Sequence, residues 1–421
     1  MKKINYTILV MAITLLSSTF TFGQVRDSLT MGPGYGNDIF YSLENGEVAS
    51  VDRTNWDIAF YTNNFSAGIV TNDGAGVELY AYPNGDTNSW ATVDTSGISS
   101  WERLYNSTEI WEDGSFNQNS TGHPNYGWCW YNSTNHHLYG VELFVIRISD
   151  TVYKKLWIRE KKTIDNIFIF TYANIDGSKQ EDVKLEVGPY VTKNFVYYSL
   201  ANNAALDREP EGKSWDILFT KWVDQVDDGE GGFSPYNVTG VNSNVNIGAN
   251  EFYPAVPGFD DWSSMPFDSA KNKIGYDWKD FDFTEGWVVK DSNVYFVQNY
   301  EGDVYKLSFD WWDGAGSGDF ALDKQLVSGV SVNEFANDNI DFQVFPNPAT
   351  SHFTIRSSND LDAETNVIIY DQTGRTVFNK VASSVELEGG LQMNDLNLTK
   401  GLYIITLTGN KYSGSQKLLV K

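Results

Sequence analysis

Two stretches of this 421-residue chain carry nearly the same message far apart. Tyr41-Ser42-Leu43 is followed by Asn55-Trp56-Asp57-Ile58-Ala59-Phe60. Tyr198-Ser199-Leu200 is followed by Ser214-Trp215-Asp216-Ile217-Leu218-Phe219. Residues 98–106, with Trp101, match 259–267, with Trp262, and Val152-Tyr153-Lys154 matches Val304-Tyr305-Lys306. The matches recur in one order at similar separations, which predicts two copies of one module with loops of unequal length. We place the copies at 24–185 and 186–332. The constraint is strong, because a fold adopted by one copy must also suit the other.

The local pattern favours strands. In Trp56-Asp57-Ile58-Ala59-Phe60, alternation puts Trp56, Ile58 and Phe60 on one face, each worth roughly 1.5–3 kcal/mol when buried. Asp57 then points to water or to a turn that needs an acceptor. Residues 138–148, 151–158 and 164–172 read as a β-meander, and Tyr300-Glu301-Gly302-Asp303 as a hairpin turn. Two long Gly/Asn/Asp/Ser-rich regions, 107–137 and 224–279, are also rich in aromatics, which predicts ordered covers with some short strands. The expected fold class is all-β: two related antiparallel β modules followed by a small C-terminal β-sandwich.

Aromatic residues make up 15% of the chain, yet its formal net charge is −25. Such a surface repels phosphate backbones and anionic lipid heads, which argues against a nucleic-acid partner. One Cys and four His exclude a disulfide scaffold and leave little for a soft-metal site. Cys129 reads as a small buried hydrophobe, with an intermolecular disulfide as the alternative.

Both ends of the chain point to export. Lys2 and Lys3 precede an apolar run at 8–16, interrupted only by Thr14, and Phe22-Gly23-Gln24 follows. This is the layout of a secretory signal peptide at 1–23, cut after Gly23. The run is short for a membrane span, and no Cys stands at the cleavage region to take a lipid. At the other end, a polar linker at 333–342 leads into a segment at 343–421 that opens with Phe345-Pro346-Asn347-Pro348. Further landmarks are Gly374 after Val367-Ile368-Ile369-Tyr370, then Gly401-Leu402-Tyr403, and the terminal Lys421. Phe353 and Ile355 share one strand face, and His352 and Thr354 the other. In these landmarks the segment resembles the type A sorting domain of the Bacteroidetes type IX secretion system. The resemblance implies delivery by that machinery through the periplasm and outer membrane, to the cell surface or the medium.

For the body, Tyr-Ser-Leu, Trp-Asp-Ile-Ala-Phe and Val294-Tyr295-Phe296-Val297…Gly302-Asp303-Val304-Tyr305-Lys306-Leu307 resemble the HmuY-like family of secreted haem-binding proteins. That resemblance implies a twisted antiparallel β fold and haem held between two histidines. The second copy has no histidine, whereas the first has His123, His136 and His137. Neighbours on a strand face opposite ways, so His123 paired with either of the other two is the candidate axial set.

Further candidates come from the long regions. Trp111, Tyr126, Trp128 and Trp130 would supply stacking surface for a glycan or other small ligand. Asp224, Asp227 and Asp228, and the acids of 310–319, would offer oxygen ligands to calcium. Acid pairs such as Asp227/Asp228, Asp260/Asp261 and Glu102/Glu109 are the raw material of a glycosidase, but no hydrolase, zinc-protease or phosphate-loop motif is present. The expected function is an exported extracellular binding protein, with haem capture and a secreted hydrolase as alternatives.

Overall fold

A computed structural model describes residues 23–328, 338–339, 342–350, 352–357, 364–371, 375–394, 398–409 and 412–421. The export segment (apart from Gly23), most of the linker and Gly374 lie outside them. The chain forms two compact units, one up to residue 329 and one from 330 onward. It is all-β: the one α-helix among the described residues, Ser384–Gly389, belongs to the second unit.

The first unit opens with β1 (Val25–Thr30), β2 (Asn37–Ser42), β3 (Gly46–Asp52), β4 (Ile58–Tyr61), β5 (Ile69–Thr71), β6 (Glu78–Ala81) and β7 (Arg103–Leu104). A short hairpin, β8 (Cys129–Tyr131) and β9 (Leu138–Gly140), precedes the meander of β10 (Phe144–Ser149), β11 (Val152–Lys162), β12 (Ile167–Asn174) and β13 (Glu181–Glu186). Then come β14 (Phe195–Ser199), β15 (Ala204–Leu206), β16 (Ile217–Asp227), β17 (Phe233–Ser243) and β18 (Gly248–Phe252). A second hairpin, β19 (Lys279–Asp282) and β20 (Gly286–Val289), is followed by β21 (Val294–Gln298), β22 (Val304–Trp312) and β23 (Asp319–Leu326). The region 224–279 holds the end of β16, all of β17 and β18, and longer covering segments, and β16 and β17 form a hairpin of eleven-residue arms.

These strands make two large sheets, two small four-stranded ones and the two-stranded β19–β20 hairpin. One large sheet has the order β13-β12-β11-β10-β6-β7, and the other β1-β23-β22-β21-β18. The small sheets run β15-β14-β4-β5 and β3-β2-β16-β17. Ile58, Phe60, Val196 and Tyr198 of the first small sheet share a core with Phe168, Phe170 and their neighbours in the first large sheet. Ile39, Tyr41, Ile217 and Phe219 of the second do the same with Leu307, Phe320 and Leu322. The glycines that turn β2 into β3 and β21 into β22, Gly46 and Gly302, have φ of 85° and 88°, where an L side chain is strained.

Pairing crosses between the halves. β2 pairs with β16 and β14 with β4, so each small sheet takes two strands from each half. The N-terminal β1 closes the large sheet of the second half on β23, as β13 closes that of the first on β12. Leu29, Met31, Gly32 and Pro33 leave β1 as Leu185, Val187, Gly188 and Pro189 leave β13, and both segments enter a 3-10 turn.

The Trp-Asp and Tyr-Ser-Leu motifs clasp each other across this exchange. Asp57 Oδ2 accepts the N–H of Leu200 at 2.6 Å, and Asp216 Oδ2 accepts that of Leu43 at 2.7 Å. The Asp57 N–H donates to Tyr198 O, and the Asp216 N–H to Tyr41 O. Asn72 Nδ2 donates to Arg53 O and Trp56 O, while Asn244 Nδ2 donates to Gly212 O and Trp215 O. Asp57 therefore serves a turn, and that turn belongs to the other half. Because the clasp bends the chain at Asp57, Trp56 lies before the strand. It packs with Ala59 and Tyr197 on the opposite face from Ile58 and Phe60, not with them as simple alternation predicts.

A second correction concerns register. Tyr305 faces the inner core, but Tyr153 packs on the outer face of its sheet beside Val145. Both long strands carry a bulge, after Ile158 and after Phe309. Aligning the two bulges would shift Val152-Tyr153-Lys154 by one residue against Val304-Tyr305-Lys306, a step that exchanges the two faces. Lys155 and Lys306 are the matching lysines: each Nζ donates to a cover carbonyl, Trp90 O and Phe259 O respectively.

In the second unit, a five-stranded sheet and a three-stranded sheet enclose one core built around Phe353, Ile355, Val367, Ile369, Ile405 and Leu418. His352 is exposed, as the strand pattern requires.

Candidate functional site

The faces of the two small sheets that turn away from the large ones meet around Trp111, which packs against Phe195 and Tyr197 of one and against Trp215 and Leu218 of the other. Between them lies a cavity of about 70 Å³. Its charged groups come from both halves. Arg208 pairs with Asp38 at 2.7 Å, with side chains only 5% and 3% exposed. The same carboxylate accepts the Thr220 hydroxyl at 2.6 Å, and the guanidinium lies 4.9 Å from the Tyr197 ring centre. Beside it, burial pushes the Glu209 carboxyl up to about 7, although it accepts the Asn194 and Phe195 N–H groups and the Tyr197 hydroxyl.

Asp73 and Lys271 add a second buried couple. Burial raises Asp73 to about 6, against the pull of Lys271 and of its hydrogen bond from Asn106. Burial lowers Lys271 to about 8, and its ammonium lies 4.7 Å from the Trp111 ring centre. Among the described residues, the Lys271 ammonium has no hydrogen-bond acceptor. Arg208 Nε and Trp56 Nε1 are buried donors without a partner, and Asn242 Oδ1 is a buried acceptor without one. Unpaired polar atoms are rare inside proteins, and here three residues of the cavity lining have them. The cavity adjoins a larger open groove of about 590 Å³, with Asn106, Ser107 and Val223 lining both.

The aromatic quartet read from the sequence is not one surface. Trp111 lines the cavity and donates its indole N–H to Ser243 O. Trp128 is fully buried in the first core, donating to Ala67 O, and Tyr126 packs against that core. Trp130 is 49% exposed on β8. The left-handed turn at Gly127 sends Trp128 inward before the strand begins. Trp128 is thus corrected from ligand platform to core.

Each of the three imidazoles engages a neighbour through Nδ1. His123 Nδ1 meets the Tyr126 hydroxyl, His136 Nδ1 that of Tyr131, and His137 Nδ1 the Glu160 carboxylate. His123 and His136 both pack on the Tyr131 ring, at 4.9 and 5.9 Å between centres, an arrangement that does not fit an axial pair around a porphyrin. Cys129 is buried, and burial pushes its thiol up.

Asp224, Asp227 and Asp228 shape the β16–β17 hairpin. Asp224 accepts the Trp222 indole N–H, Asp227 the Gly229 N–H, and Asp228 those of Glu230 and Gly232. Among the described residues, no three His, Cys, Asp or Glu side chains are grouped as a metal site. Of the acid pairs, only Glu109 lines the groove beside the cavity.

In the second unit the landmarks from both ends of the segment come together. Asn347 Nδ2 donates to Lys417 O at 2.6 Å, and its Oδ1 accepts the Leu419 N–H at 2.9 Å. The Lys421 N–H donates to Ala349 O. The peptides before Pro346 and Pro348 are both cis. Gly401 pairs with Val420, and Leu402 with Leu419, on the last two strands. Tyr403 is buried and donates to Thr399 O, whereas Phe345 and Leu402 are partly exposed at the surface.

A model of the secretion system C-terminal sorting domain matches residues 343–421. No curated protein matches the chain. The sorting domain implies a secreted protein that engages the type IX machinery and passes the outer membrane to the cell surface or the extracellular space.

Proposed function

We propose that the protein is an exported binding protein whose body, two interlocked copies of one β module, holds a small ligand in the cavity between the two small sheets. The reciprocal clasp supports the duplication, with β13 as the counterpart of β1, so that the second copy opens near Glu181. The observation that carries the binding reading is the set of buried, unpartnered polar atoms in the cavity lining. Such atoms cost about 1–3 kcal/mol each when nothing meets them, and a bound ligand removes that cost.

The test is a thermal-shift panel of sugars, organic acids and amino acids on the secreted full chain. A Trp56→Phe variant distinguishes binding in the cavity from binding elsewhere. A ligand that stabilises the parent and loses its effect in Trp56→Phe supports the reading. Ligands that act equally on both proteins would show that the site lies elsewhere.

A further inference from the structure

We infer that the cavity receives the carboxylate of a small acidic saccharide, entering end-on while the sugar ring lies in the adjoining groove. This rests on the binding reading above and adds the chemistry of the ligand.

Donors outnumber acceptors among the unpaired polar groups of the cavity lining, where Asn242 Oδ1 is the one buried acceptor without a partner among the described residues. Lys271 Nζ, Arg208 Nε and Trp56 Nε1 are N–H donors with no acceptor among the described residues. The acids nearby are already engaged: Asp38 holds Arg208 and Thr220, and Asp73 holds Asn106. A carboxylate brings about four lone-pair sites and no donor, the complement of this wall. Its bonds to ionised donors in a buried setting are of the stronger, charge-assisted kind.

Size selects how much of the ligand enters. A volume of about 70 Å³ suits a group of a few non-hydrogen atoms, on the scale of ~10–15 Å³ for one water. A whole sugar ring does not fit. The groove that shares Asn106 and Ser107 is lined further by Thr108, Gln118 and Gln225, whose hydroxyl and amide groups suit sugar hydroxyls, and by Glu109 and Asp113. The overall charge of −25 opposes approach of an anion, but screening confines that effect to about 8–10 Å at ordinary salt. It slows capture more than it weakens a seated carboxylate.

The experiment is isothermal titration of the secreted full chain with D-glucuronate, D-glucose and acetate at pH 7, repeated on Lys271→Met and Trp56→Phe. Glucuronate is expected to bind saturably and at least tenfold more tightly than glucose, with acetate weaker than glucuronate. Lys271→Met should cut glucuronate affinity at least tenfold and leave glucose unchanged, and Trp56→Phe should cut it a few-fold. If Lys271→Met does not fold, Trp56→Phe and the three-ligand comparison still decide. Equal binding of glucose and glucuronate, weakened alike by Trp56→Phe, would overturn the carboxylate inference and leave the cavity as a binding site. No binding of glucuronate would overturn the inference too, and the wider panel then judges the binding reading by itself.

Discussion

The clasp makes an unusual forecast for Asp216→Ala. The Asp216 carboxyl is 5% exposed, and burial raises it from 3.8 to about 6, against the bond it accepts from the Leu43 N–H. The sign follows from linkage. A carboxyl raised in the folded state favours folding while protonated, and that contribution is lost as pH rises from 3.8 through about 6. The whole shift is worth about 3 kcal/mol, and the part falling between pH 5 and pH 8 about 1.4 kcal/mol. Alanine removes the titration but orphans the buried Leu43 N–H, at a pH-independent cost of about 1–3 kcal/mol. Relative to the parent, the variant should therefore gain about 1.4 kcal/mol on going from pH 5 to pH 8, passing from roughly neutral to neutral or stabilised. The assay is urea unfolding of both proteins at the two pH values, compared at constant ionic strength. A difference between parent and variant that stays the same within about 0.5 kcal/mol at both pH values would refute the buried-carboxylate account of the clasp.

Trp128→Ala should cost about 3–5 kcal/mol, while Trp130→Ala stays within about 0.5 kcal/mol; paired denaturant titrations would check the contrast. Haemin titrated into the secreted protein should give no saturable Soret shift, because His123 and His136 both pack on the Tyr131 ring and leave no porphyrin-sized gap between them. Asn347→Ala removes both bonds to the last strand and should destabilise the second unit by about 1–3 kcal/mol. The thermogram of the full chain should show this, and protease shaving of intact cells should show less protein delivered to the surface.

The repeated motifs were legible because each is local: Trp-Asp bends the chain and Tyr-Ser-Leu ends a strand wherever they occur. The exchange of strands was not, and the reason is physical. β2 and β14 carry the same pattern, so a pairing of β4 with either satisfies the same side-chain alternation. Only loop paths decide between them, and these leave no periodic signal. The Leu-x-Met-Gly-Pro and Leu-x-Val-Gly-Pro segments that lead out of β1 and β13 were readable as a further repeat and would have moved the boundary of the second copy upstream. The third match rests on three identical letters, Val-Tyr-Lys, yet Tyr153 and Tyr305 lie on opposite faces of their sheets. The candidate site was scarcely legible at all. Of the aromatic quartet, only Trp111 reaches the cavity, whereas Asp38, Asp73, Arg208 and Lys271 look like ordinary surface charges in so acidic a chain. Their burial follows from the meeting of two sheets, each built from both halves.

The two halves also show where the fold itself asks for nothing polar. Asp38 and Thr220 occupy the places in one small sheet that Phe195 and Tyr61 occupy in the other, counting from the Tyr-Ser-Leu and Trp-Asp motifs. In one sheet the two side chains share a hydrogen bond beside a buried guanidinium; in the other, two rings pack edge to face at 5.3 Å. Arg53 and Arg208 both follow an aspartate, yet Arg53 is satisfied by Tyr35 O and Gly74 O, whereas Arg208 is left with an unpartnered Nε. An aromatic pair evidently suffices to close the sheet at this position. Replacing a buried ion pair by packed apolar groups is often neutral or stabilising by about 1–4 kcal/mol, so the charged version is not what stability alone would choose. The polar departure from the apolar arrangement of the other half falls on the wall of the cavity, which is where a ligand would give it a use.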